Sequence, residues 1–78
     1  DFSDAVVFSF HPVKHITTGE GGAVLTNDYT LYKRLKLVRN HGITKNPDEF
    51  LYPPDGDWYY EQHHLGFNFR ITDFQCAL

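Results

Sequence analysis

An α/β fold is what this sequence predicts, and three features predict it. Ala5 to Phe10 is an unbroken apolar run of strand length without polar alternation, the pattern of a strand covered on both faces. Ala23 to Thr26 is a second, shorter run, reached through a turn in which Gly19, Gly21 and Gly22 permit positive φ. From Tyr29 to Asn40 the period changes: Leu31, Leu35 and Val38 fall at i, i+4 and i+7 and form one apolar helical stripe.

Each element has a local cause. His11-Pro12 ends the first run, because Pro12 lacks a ladder donor and holds His11 in extended geometry. Asn27-Asp28 is an N-cap for the helix, and Gly42 is its expected C′ residue. Lys33, Arg34, Lys36 and Arg39 lie on its other faces and toward its end, where cations complement the macrodipole. That cluster is either a solvated helix face or a phosphate or nucleic-acid patch, and a solvated face is the commoner meaning. Asn46 to Tyr60 is expected to be a long irregular segment, with Pro47, Pro53, Pro54 and the turn Asp55-Gly56-Asp57. Trp58, Tyr59 and Tyr60 at its end argue against disorder. Leu65 to Phe69 reads as a short extended piece, and Thr72 or Asp73 caps a final helix running to Leu78.

Composition narrows the function classes. A formal charge of −3 gives no electrostatic reason to expect nucleic acid or an anionic membrane as partner. One cysteine, Cys76, cannot pair within the chain, and no apolar run approaches the roughly 20 residues that span a bilayer. A cytoplasmic protein is expected. The chain enters a strand-like run almost at once and stops inside a young helix, so residues 1–78 are expected to be an internal fragment, truncated at both ends. His11, His15, His41, His63, His64 and Cys76 raise the question of a structural metal module. Pro12 spoils a helical His11/His15 pair, His63-His64 would point opposite ways in a strand, and there is no Cys-x-x-Cys; no metal ligand is assigned.

Lys14 is the candidate nucleophile. It sits in the loop between the two apolar runs, where partial desolvation would lower its pKa and free its amine to attack carbonyl carbon. On spacing alone a solvated loop lysine is the commoner meaning. Ser9 stands at the end of the first run, a usual place for ligand groups in open α/β sheets; its hydroxyl can meet a phosphate or satisfy backbone. His11 can pack beside a ligand or hydrogen-bond the loop.

The run Ser9-Phe10-His11-Pro12-Val13-Lys14-His15-Ile16-Thr17-Thr18-Gly19-Glu20-Gly21-Gly22 resembles the Schiff-base lysine motif of the DegT/DnrJ/EryC1/StrS family, the pyridoxal-phosphate-dependent aminotransferases of sugar nucleotides. Gly66-Phe67-Asn68-Phe69-Arg70 and the following Thr72-Asp73 helix are similar to the family's Gly-Tyr-Asn-Tyr-Arg segment, with both tyrosine hydroxyls lost here. Arg39-Asn40-His41-Gly42-Ile43 matches a third block.

The resemblance implies a fragment of the large cofactor-binding domain of a fold-type-I aminotransferase. Lys14 would hold pyridoxal 5′-phosphate and shuttle protons, with Ser9 on the cofactor phosphate. Asn68 of the partner subunit would reach the same phosphate, in a homodimer whose active site is shared across the interface. Arg70 could touch the partner or an anion, with a surface salt bridge as the default. The family's acid for the pyridinium nitrogen has no counterpart in these residues, so the isolated chain is expected to be inactive.

The implied reaction passes an amino group from an amino acid, glutamate by family expectation, to a keto-sugar nucleotide. The wording His11 to Gly22 is most similar to the branch that aminates C4 of a UDP-linked 4-keto-6-deoxy-N-acetylhexosamine for pseudaminic acid. Perosamine or 4-amino-arabinose types, or a fragment without catalysis, are the alternatives. Lys45 to His64 is expected to serve the sugar side.

Overall fold

The computed structural model describes residues 3–78, which divide into two units: residues 3–32 with 71–78, and Lys33–Arg70. The elements run β1 (Val6–Ser9), β2 (Gly22–Leu25), α1 (Tyr29–Arg39), β3 (Ile43–Thr44), a 3-10 turn (Pro47–Glu49), β4 (Glu61–Gln62) and α2 (Asp73–Cys76).

In the first unit β1 and β2 form an antiparallel hairpin, with Val6 opposite Leu25 and Ser9 opposite Gly22. Its open end is tied by Thr26 Oγ1, which donates to Asp4 O at 2.7 Å. The sequence predicts strands covered on both faces, but Val7 is 74% exposed, and no hydrophobic side chain among the described residues is buried. The ribbon's apolar residues need a layer on each face, and a chain of 78 residues has little surface with which to build one. Asp28 caps α1 as expected: its Oδ1 accepts from Thr30 N at 2.8 Å and Leu31 N at 3.1 Å. Leu31, Leu35 and Val38 are half-buried. At α2, Thr72 is the cap, and it forms a reciprocal capping box with Gln75.

The second unit is built around the end of α1. Its last carbonyls would be left without intrahelical donors. Gly42 N–H returns to Leu37 O at 2.7 Å, while Phe67 N–H reaches Val38 O at 2.7 Å and Phe69 N–H reaches Arg39 O at 2.8 Å. The segment after Gly66 thus lies along the helix end, bridged in antiparallel fashion through Asn40 and Asn68. The left-handed C′ position expected at Gly42 is taken by His41, at φ 59°, with Gly42 one residue further on at φ 70°. The reason is that His41 N–H is claimed by Phe67 O at 2.8 Å, so the closing bond to the helix falls to Gly42. Backbones meet closely here. A Cβ on Gly66 would lie 2.9 Å from Val38 O and overlap the Gly42 amide, and one on Gly42 would overlap His64 O.

The long irregular segment has a closed base that the sequence does not announce. β3 pairs antiparallel with β4, Ile43 opposite Gln62 and Thr44 opposite Glu61. Thr44 and Glu61 are buried, at 4% and 9% exposure. Glu61 gathers four donors: Leu51 N at 2.8 Å, Tyr52 N at 3.0 Å, Tyr59 Oη at 2.8 Å and His63 Nε2 at 2.6 Å. Phe50 meets Tyr59 edge-to-face at 4.9 Å between ring centres, and Thr44 Oγ1 donates to Glu49 Oε2 at 2.5 Å. Burial opposes ionisation of Glu61, but the His63, Leu51, Tyr52 and Tyr59 hydrogen bonds outweigh it and bring its pKa down to about 2. Its hydrogen bond with Glu61 raises the Tyr59 pKa in turn.

Two outcomes follow from this geometry. Gly66→Ala forces the two backbones apart and is expected to lower stability by about 1–3 kcal/mol, read as a fall in the denaturation midpoint. The stabilisation from Glu61 is fully present above the ordinary carboxyl value of 4.5 and is lost as pH falls through about 2. The Leu51 and Tyr52 amide resonances should therefore titrate near pH 2 and not near 4.5. In Glu61→Gln that transition should vanish, with lower amide protection at both positions.

Candidate functional site

Lys14 lies on the loop that joins β1 to β2, and the residues around it shape that loop. Phe10 is its pin. Phe10 N donates to Gly21 O at 2.8 Å, and Phe10 O accepts from Thr17 Oγ1 at 2.8 Å and Thr18 N at 3.2 Å. These bonds pinch the chain at its neck and leave residues 11–16 as a small projecting turn, closed by Lys14 N on His11 O at 2.9 Å. Thr17 Oγ1 also accepts from Gly19 N at 3.0 Å, and Thr18 Oγ1 donates to Glu20 O at 2.8 Å. Of the three glycines, Gly19 alone takes positive φ, at 78°. At Gly21 and Gly22 the missing Cβ matters instead, since it would run into Thr18 Oγ1 and, at 2.7 Å, into Phe8 O. From the first turn of α2, Gln75 Nε2 donates to Glu20 O at 3.3 Å and holds the return limb.

Ser9 is at the same end of the hairpin, the last residue of β1. Its Oγ accepts from His11 N at a long 3.4 Å, which leaves the hydroxyl hydrogen free to donate elsewhere. His11 takes the loop-bonding role: Nδ1 accepts from Val13 N at 3.4 Å, and Nε2 lies 3.9 Å from Glu20 Oε1. Lys14 itself is exposed, so the desolvation expected of it is not furnished by the described residues. The two flanking strands, expected to be buried, are themselves exposed and cannot shield the amine.

Asn68 belongs to the second unit, on the extended segment along the end of α1. The hydrogen bonds of its neighbours Phe67 and Phe69 to Val38 and Arg39 fix its backbone. The Phe67 and Phe69 rings stack at 4.9 Å, nearly parallel at 6°, on the other face of the strand. Arg70 does not follow the surface salt-bridge default. Its Nε donates to Asn68 Oδ1 at 2.6 Å. Ser9 and Lys14 are thus brought together on one hairpin, and Asn68 stands on a different support.

Sequence reasoning missed Phe10 and Glu61 as organising residues. Phe10 acts through its backbone, which no side-chain pattern reports. Glu61 is one acid in a charged and aromatic stretch, and only pairing with Thr44 buries it. A shallow pocket lined by Asp4, Leu25 and Thr26 lies at the end of the hairpin opposite Lys14. Among the described residues, no three His, Cys, Asp or Glu side chains converge as a metal site, and no helix is long and apolar enough to cross a membrane.

Comparison with known proteins gives this arrangement its context. Residues 1–78 match the DegT/DnrJ/EryC1/StrS aminotransferase family. A UDP-4-amino-4,6-dideoxy-N-acetyl-beta-L-altrosamine transaminase of Helicobacter pylori is 48% identical over 77 residues, covering 99% of this chain and 18% of that protein. The transaminase of the same name from Campylobacter jejuni is 45% identical over 76 residues, covering 97% of this chain and 18% of that protein. The solved structure of Helicobacter pylori PseC, an aminotransferase involved in the biosynthesis of pseudoaminic acid, superposes with a TM-score of 0.81 at 43% identity, covering 97% of this chain and 18% of that one. The chain therefore spans under a fifth of the length of these relatives. Its hairpin, helix and extended segment are those of an aminotransferase fragment, and the chain belongs to the DegT/DnrJ/EryC1/StrS aminotransferase family.

Proposed function

We propose that the full-length protein is a cytoplasmic, homodimeric, pyridoxal-phosphate-dependent aminotransferase of a sugar nucleotide, and that residues 1–78 are part of its large cofactor-binding domain. The amino group comes from an amino acid, glutamate by family expectation. It passes to C4 of a UDP-linked 4-keto-6-deoxy-N-acetylhexosamine on the way to pseudaminic acid. The names carried by the Helicobacter and Campylobacter relatives support that substrate.

The observation that carries the reading is the projecting turn with Lys14 in it, pinned at Phe10 by the two threonines and with Ser9 at its base. The donors fit the cofactor chemically: one exposed primary amine, one hydroxyl free to donate, and one exposed amide. Lys14 would anchor the cofactor covalently through Nζ, and Ser9 would donate to its phosphate. Asn68 of the partner subunit would supply a second phosphate donor across the dimer. When bound, pyridoxal phosphate supplies the electron sink that makes the donor's α-carbon proton acidic. Released from its anchoring role, the Lys14 amine holds and moves that proton. A turn fixed at its neck and free at its tip suits a group that must do both.

Borohydride treatment of the full-length protein with pyridoxal phosphate, followed by peptide mapping, tests this. A reduced pyridoxyl adduct on Lys14 is expected. Lys14→Ala should abolish it and lower turnover by about 10²–10⁴-fold or more. An adduct on another lysine, or undiminished turnover in Lys14→Ala, would sink the assignment. Equal turnover across a panel of keto-sugar nucleotides would defeat the narrower substrate reading.

A further inference from the structure

We propose that Arg70 is a positioning residue that sets which way round the Asn68 amide stands, so that its NH₂ group and not its carbonyl is offered to the cofactor phosphate. The inference rests on the reading of Asn68 as a phosphate ligand.

An asparagine amide has two chemically opposite ends on a planar group, an acceptor oxygen and a donor NH₂. A phosphate oxygen is attracted to one and repelled by the other. Left alone on a surface, the amide samples both orientations, and only one of them binds an anion. Here Arg70 Nε stands 2.6 Å from the Asn68 amide. A guanidinium carries donors and no acceptor, so the atom that faces it must be Oδ1. A contact this short to a cation is a charge-assisted hydrogen bond. With Oδ1 held, Nδ2 and its two N–H groups point to the other side.

The backbone makes this orientation count. Asn68 is flanked by two bonded amides, Phe67 N on Val38 O and Phe69 N on Arg39 O, so the side-chain torsions are its main remaining freedom. Asn68 and Arg70 are two residues apart on an extended segment and share a face, while the stacked Phe67 and Phe69 rings occupy the other. The Arg70 side chain is thus beside the amide by strand geometry. Both residues are exposed, so the bond contributes little to stability, and its effect belongs to ligand binding.

The test is a double-mutant cycle in the full-length protein, with affinity measured by spectroscopic titration for pyridoxal phosphate and for pyridoxal, which lacks the phosphate. Asn68→Ala is expected to weaken pyridoxal phosphate by on the order of tenfold, as for a hydrogen bond to a charged group, and to leave pyridoxal unchanged. Arg70→Met, which keeps the aliphatic stem, is expected to weaken pyridoxal phosphate by about three- to fivefold and leave pyridoxal unchanged, with no further loss in the Asn68→Ala background. A merely structural role would weaken both ligands alike. If Arg70→Met has no effect, or acts equally with and without Asn68, the inference is overturned while the reading of Asn68 stands. If Asn68→Ala leaves pyridoxal phosphate affinity intact, that reading itself fails and takes this one with it. Should Arg70→Met impair folding, Arg70→Gln, whose amide presents an acceptor as readily as a donor to Asn68, is judged by the same phosphate-dependent loss.

Discussion

The close meeting of two backbones at the end of α1 is the constraint on which the second unit depends. A helix must dispose of its last carbonyls, and here the donors come from an incoming strand that begins at Gly66. That arrangement is possible only because Gly42 and Gly66 carry no side chain at the point of contact. It stops the helix, forces His41 into a left-handed conformation, and lays Asn68 down with its neighbours' amides already committed. Helix termination and the placing of Asn68 are one event in this chain.

The hairpin solves a different problem by a different means. If Lys14 anchors a cofactor and also moves a proton, as proposed, a rigid support would hinder the second task. The Thr17-Thr18-Gly19-Glu20-Gly21-Gly22 run fixes the neck of the loop through hydroxyls and a close approach to β1, and the tip is left projecting. Ser9 sits where the rigid strand gives way to the turn.

Between these elements, Glu61 shows how a long irregular segment is kept in one shape with little apolar burial. One carboxylate draws in two backbone amides, a phenol and an imidazole, and each bond answers part of the cost of burying the charge. The aromatic tip of the loop stays exposed around it, with Tyr52 at 70% and Trp58 at 68%.

Much of this was legible in the sequence. Local chemistry determined the strand positions, the Asp28 and Thr72 caps, the α1 boundaries to within a residue, and the blocks around Lys14 and Asn68 that mark the family. These depend on neighbours within a few positions, which a one-dimensional pattern records. What the tertiary structure decided were contacts between residues distant in the chain. His41 took the helix-ending position because Phe67 competed for its N–H, and Glu61 became a buried hub because Thr44 pairs with it. Arg70 turned from a surface charge into the partner of Asn68, since strand geometry puts alternate residues on one face. The burial expected of β1 and of Lys14 was not met, because an apolar pattern states that a face wants a cover and not which atoms supply it. Local propensity is written in the chain; the identity of a long-range partner is fixed only when the backbone brings two segments together.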